Sequence, residues 1–188
     1  MKTITRNLAR AFVALGLLGM AIQNALAGSV DATASQISVR FKQMGVLSDG
    51  QFRKISGTID YLPTQLQNSL GRIEIETASL DLGNAATNQE VTKKEWFDSK
   101  NYPKGIFILG GLTPVGDAFK AVGKLTIKGR TQAVAFPVKI GLQNGRHVFT
   151  GQLPIKRLNF AIGEGEWRDT DILADEVTIL FKLVTSAQ

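Results

Sequence analysis

Phe119-Lys-Ala-Val-Gly-Lys-Leu-Thr-Ile127 sets an apolar or small residue at every second position, with Lys120, Lys124 and then Lys128 on the other side. Side chains of an extended strand point alternately to its two faces, so this spacing predicts a half-buried antiparallel strand with its lysines in water. The same period of two returns along the chain. Ile37, Val39 and Phe41 alternate with polar residues, as do Ile55, Gly57, Ile59 and Tyr61, and then Ile73, Ile75 and Thr77. It recurs at Val134-Phe136-Val138-Ile140, at Phe149-Gly151-Leu153-Ile155 and at Val177-Ile179-Phe181-Leu183, and Ile106–Leu109 forms a shorter run after Pro103. Eight strands are thus predicted.

Turn-forming residues stand between the runs: Ser48-Asp49-Gly50, Pro114-Val115-Gly116-Asp117, Lys128-Gly129 and Gln143-Asn144-Gly145. An Asn-Gly pair between two alternating runs is a hairpin signal. Asn84 to Phe97 breaks the rhythm, and its spacing of Val91, Trp96 and Phe97 predicts one or two helical turns after the third predicted strand. Eight antiparallel strands with one greasy face close most simply into a barrel, because closure removes exposed edges. A barrel of that size holds either its own side chains or one small ligand. Gly57, Ala121, Gly123, Gly151 and Thr77 fall at inward positions, where small residues either leave room or mark bends in the sheet. On this alternation the inner wall is expected to include Phe41, Ile55, Ile73, Ile75, Phe107, Leu125, Ile127, Phe136, Val138, Leu153 and Phe181.

Residues 1–27 read as a secretory signal peptide. Lys2, Arg6 and Arg10 precede the apolar run Ala11–Ile22, and Ala25-Leu26-Ala27 offers a small-x-small cleavage site. That run is shorter than the ~20 residues a bilayer span requires, and the chain has no Cys to acylate. Residues 28–188 are then expected to form a single exported domain, placed in the periplasm. The leader holds three of the 22 Lys and Arg and none of the 16 Asp and Glu, so the remainder carries only +3. So mild and dispersed a charge does not point to nucleic acid.

Chemistry has little to draw on. Without Cys, thiol catalysis and Cys-based metal sites are excluded. The one histidine, His147, follows an Asn-Gly-Arg turn and reads as a solvated loop residue, and no Gly-x-Ser-x-Gly elbow occurs. Glu164, Glu166, Asp169 and Asp171 do not follow calcium-loop spacing, with Arg168 among them. Trp167 in that loop reads as a lid or packing residue. No enzyme, catalytic residue, metal or resident cofactor is expected.

Five segments, in order, carry a more specific signal: Ser35–Phe41, Gly50–Asp60, Trp96–Pro103, Gly123–Gly129 and Asp175–Ile179. Together they resemble the YceI family of exported lipid-binding proteins across essentially all of residues 28–188. The resemblance implies an extended, lipocalin-like antiparallel barrel around an apolar tunnel holding a polyisoprenoid or similar amphiphile. It departs from the family at Thr87-Asn88-Gln89-Glu90-Val91, where an Arg-Asp pair and a His are usual. Glu164–Asp171 looks like a branch whose members accompany b-type cytochrome membrane proteins, which suggests an isoprenoid quinone as ligand and such a cytochrome as partner. The expected function is therefore a soluble carrier or storage protein for an isoprenoid or fatty amphiphile. The alternative is a ligand-free envelope stress or protein-interaction factor, and a homodimer is left open.

Overall fold

The computed structural model describes residues 28–186. The leader predicted over 1–27 lies outside the described residues. In chain order the strands are β1 (Gly28–Ser29), β2 (Gln36–Gln43), β3 (Val46–Phe52), β4 (Ile55–Asp60), β5 (Leu70–Glu76) and β6 (Leu80–Asp81). Helix α1 (Ala85–Glu90) follows, then β7 (Lys104–Val115), β8 (Ala118–Ile127), β9 (Arg130–Gln143), β10 (Arg146–Lys156) and β11 (Leu173–Val184). All pair antiparallel in one sheet, ordered β1-β4-β5-β7-β8-β9-β10-β11-β2-β3-β6.

The fold is all-β, as the alternation predicts, but the strand count is eleven rather than eight. The eight expected runs are β2, β4, β5 and β7 to β11. The additions are β1, β3 and β6. Ser48-Asp49-Gly50, expected as a turn, lies inside β3, and the chain reverses instead at Met44 and Gly45, both at positive φ. Asp49 suits a strand here because it stands opposite Arg40 on β2 and accepts from its Nε at 2.8 Å on the outer face.

That strand explains how the sheet curls shut. β3 pairs with β2 while β4 pairs with β5, and only Arg53 and Lys54 separate them. Val46–Asp60 is therefore one bent ribbon whose upper half completes one flank of the sheet and whose lower half begins the other. The corner is pinned to the end of β5: Arg53 N–H donates to Ser79 O at 3.0 Å, and Glu76 N–H to Lys54 O at 3.1 Å. Lower down, Val30 N–H donates to Gly57 O at 2.9 Å and Asp31 N–H to Val184 O at 2.8 Å, tying β4 to the end of β11. These bonds occupy edge groups that would otherwise be open to another chain.

Of the small inward residues, Gly123 and Gly151 create no space. A Cβ on Gly123 would stand 2.6 Å from the Phe107 ring and 2.3 Å from Ile108 O; one on Gly151 would meet the Phe181 ring and Pro137 O, both at 2.7 Å. Bare glycine backbone lets the strands coil tightly, and a phenyl ring covers each gap. Thr77 does not face the lumen either. It is fully buried, and its hydroxyl bonds Ser99 Oγ at 2.9 Å and Tyr102 O at 3.0 Å, anchoring the segment that leads into β7.

Candidate functional site: an apolar cavity with a polar mouth

The inward faces of the strands enclose a cavity of about 810 Å³. Ten of the eleven expected wall residues line it: Phe41, Ile73, Ile75, Phe107, Leu125, Ile127, Phe136, Val138, Leu153 and Phe181. Ile55 does not. It is the first residue after the Arg53–Lys54 corner and is buried in the surrounding core. Phe136 stands between two other phenyl rings of the wall, 5.5 Å from Phe107 and 5.6 Å from Phe181 between ring centroids.

The two ends differ. The lower end is lined by buried Ile37, Ile59, Leu109, Leu112, Ala121 and Leu183. Near it Tyr61 packs edge-on against Phe149 at 5.7 Å and His147 at 4.9 Å. His147 thus belongs to β10 and is half-buried against Tyr61, not a solvated loop residue, because the hairpin turn ends before it. Burial pushes the Tyr61 phenol above its usual value.

All the polar side chains of the lining gather at the other end: Gln43, Thr87, Glu90, Lys93, Arg157 and Glu166. This end is the mouth, where exposed Ala86, Thr87, Lys93 and Glu166 bring the cavity to the surface. Its rim is made by connections rather than strands. Helix α1 is started by Asn84, whose side chain accepts from Ala86 and Thr87 N–H at 2.9 and 3.1 Å. It is tethered by Asn88, which accepts from Leu82 N–H at 2.7 Å and donates to Asp81 Oδ1 at 3.1 Å. Glu90 and Lys93 form an ion pair that raises the Lys93 ammonium above its usual value.

Arg157, which sequence reasoning did not single out, holds the opposite rim. It is 2% exposed, and all five of its N–H groups donate to backbone carbonyls. Nε reaches Ala174 O at 3.1 Å, Nη1 reaches Ile162 and Gly163 at 2.8 Å, and Nη2 reaches Trp167 and Leu173 at 2.7 Å. Burial lowers its basicity, with Asp175 opposing the shift. Gly163 is required beside it, at φ 71° with a Cβ position only 2.6 Å from Nη1. The sequence signal was faint: Arg157 follows Lys156 and precedes Leu158-Asn159-Phe160-Ala161-Ile162, so it reads as one of two ordinary surface cations.

The acidic loop is used internally. Glu164 and Ala161 O accept from Lys128 Nζ at 3.1 and 2.7 Å, and Asp169 accepts from Asp171 N–H at 2.9 Å. Among the described residues no three His, Asp or Glu side chains converge as a metal site would require. Trp167 packs against Trp96 at 5.3 Å between centroids, tilted by 53°, and both line the mouth.

Known proteins fit this geometry. Residues 29–185 match the YceI-like domain family. BcnA of Burkholderia cenocepacia is 40% identical, superposes with a TM-score of 0.81, and the match covers 84% of this chain and 99% of BcnA. A polyisoprenoid-binding domain from Saccharophagus degradans, described as implicated in plant cell wall breakdown, shares the fold at 19% identity and TM-score 0.71, over 86% of this chain and 99% of that one. A UPF0312 protein of Photorhabdus laumondii is 22% identical over 134 residues, 66% of this chain and 69% of its own. The family match over residues 29–185 and the shared fold agree, and the chain belongs to the YceI-like family.

Proposed function

We propose that this protein is an exported, non-enzymatic carrier or store for a polyisoprenoid, isoprenoid quinone or similar amphiphilic lipid, working in the periplasm. The observation that carries the reading is the cavity: about 810 Å³, walled by aliphatic and phenyl side chains, with polar groups confined to one end. That volume falls in the range of small-molecule sites. At ~30 Å³ per water-sized unit it has room for roughly two dozen heavy atoms. Each buried methylene contributes about 0.8 kcal/mol, so a chain of a dozen carbons outweighs the cost of ordering it. A structural neighbour described as a polyisoprenoid-binding domain supports the ligand class. The loop Glu164–Asp171 forms part of the rim, so a b-type cytochrome partner exchanging a quinone would meet the mouth from that side.

The test is organic extraction and native mass spectrometry of the purified protein, followed by uptake of a prenyl quinone. A co-purifying apolar molecule, or saturable uptake, is expected. Leu125→Trp and Val138→Trp should each cut uptake about tenfold while leaving the strand signature intact, since each ring would fill space now lined by the smaller side chain. A reproducibly empty barrel that takes up neither quinones nor fatty amides would favour a ligand-free envelope factor and overturn the carrier.

A further inference from the structure

Among the described residues one buried side-chain nitrogen or oxygen has no hydrogen-bond partner in the protein, and it is Trp96 Nε1. A buried indole N–H normally finds an acceptor. This one belongs to a residue lining the mouth, next to Trp167. The Trp167 ring offers only a weak π acceptor. The Trp167 backbone carbonyl is held by Arg157, but the ring stands on the short turn Gly165–Arg168, whose other residues are exposed, so the indole is the part of the rim able to yield.

The charged groups of the mouth are already committed or balanced, and the Gln43 amide is exposed to water. Lys93 is paired with Glu90, and the five donors of Arg157 go to backbone carbonyls. Those are the two cations among the lining residues, and Glu90 and Glu166 match them in charge. No lining residue offers an uncommitted positive charge to a phosphate, whereas one buried neutral donor stands without an acceptor.

Resting on the carrier reading, we propose that Trp96 Nε1–H is the head-group donor of this cavity. The ligand class it selects is a prenyl or acyl chain ending in a neutral acceptor oxygen (a quinone or ketone carbonyl, an ester or an amide) rather than a prenyl phosphate. Trp167 shifts to admit that oxygen.

Phytone and pristane test this, because they differ essentially by a carbonyl oxygen in place of a methyl group; phytanyl phosphate supplies the charged arm. The protein's two tryptophans both stand at the mouth, so intrinsic fluorescence reads binding directly. The wild type should bind phytone between about twofold and tenfold more tightly than pristane, the range one net hydrogen bond supplies, and phytanyl phosphate more weakly than phytone. Trp96→Phe should abolish the ketone preference, read as the ratio of phytone to pristane affinity within the variant, and Trp167→Phe, which keeps the donor, should retain that ratio. A readout independent of Trp96→Phe folding is the ¹H–¹⁵N spectrum of the wild type, where phytone and not pristane should move the Trp96 indole N–H, assigned by its persistence in Trp167→Phe. Equal shifts with both molecules, an intact ketone preference in Trp96→Phe, or tighter binding of the phosphate would each overturn the proposal. Failure of all three molecules to bind the wild type would overturn the carrier reading itself, and this assignment with it.

Discussion

Replacing Arg157 should loosen the whole rim around Trp167. In Arg157→Met the apolar stem is roughly conserved, but five carbonyl oxygens, of Ile162, Gly163, Trp167, Leu173 and Ala174, lose their donors together. Hydrogen bonds from a charged donor are each worth about 1.5–3 kcal/mol. Summing five of them overstates the effect, because removing the guanidinium also relieves a burial cost of several kcal/mol. Water can moreover reach some carbonyls on the exposed side of the loop. The balance is a loss of about 3–5 kcal/mol, the range for breaking a buried charged network. Arg157→Lys keeps the charge but has at most three donors, leaving at least two carbonyls bare, and should fall between the two. Urea unfolding reads this directly: with a slope near 1–3 kcal/mol per molar, the Met variant should shift the midpoint down by about 2 M with an unchanged slope. If the loop opens by itself, the midpoint moves less, but the Gly163 N–H, now bonded to Glu95 O at 2.9 Å, loses its protection from hydrogen exchange. A Met variant with both the wild-type midpoint and wild-type Gly163 protection would refute the reasoning.

Two further outcomes concern the coiled strands and the paired carboxylates. Gly123→Ala should destabilise the barrel by about 2–3 kcal/mol, since its Cβ would strike Ile108 O, a backbone atom that cannot rotate away; Gly141→Ala, with nothing within 4 Å, should be near neutral, and denaturant midpoints that rank the pair the other way would contradict the assignment. Asp31 and Asp81 are both held at about 2, Asp31 first by the Thr33 hydroxyl and Asp81 first by Arg53. Because these folded-state values lie below the unfolded 3.8, the stabilisation is complete above about pH 4 and disappears as pH falls toward 2. Urea midpoints between pH 5 and 2 should therefore drop more steeply for the wild type than for Asp31→Asn or Asp81→Asn, and parallel curves would count against it.

Most of the wall was legible in the sequence because each long strand has one face in the lumen and one in water, which forces the period of two. β3 escaped for a physical reason. Val46 and Leu47 are exposed near the mouth, while Ser48-Asp49-Gly50 carries turn-type residues on a strand whose outer face is charged, so neither alternation nor composition marked it. β1 and β6 are two residues long and have no periodicity to read. Ile55 had the right parity but stands at the corner where the ribbon bends, and parity alone does not show a bend. The mouth was hidden more deeply. Thr87, Glu90, Lys93, Arg157 and Glu166 come from connections far apart in sequence, and only the curled sheet brings them to one end.

The division between strands and connections has a consequence for how the cavity is shaped. The glycines that permit coiling are overlaid by Phe107 and Phe181, and both rings pack against Phe136, so tight curvature and a phenyl-lined stretch of the wall come from the same residues. This part of the wall is apolar, so it offers shape and apolar contact but no polar chemistry. Chemistry is left to the rim, where α1, the turn around Trp167 and the carbonyls gathered by Arg157 are held by hydrogen bonds instead of ladder register. Substitutions at exposed rim positions such as Thr87 or Glu166 change the rim at little cost to the barrel, whereas replacing Arg157 or either glycine–phenylalanine pair disturbs the contacts that hold the connections or curve the sheet.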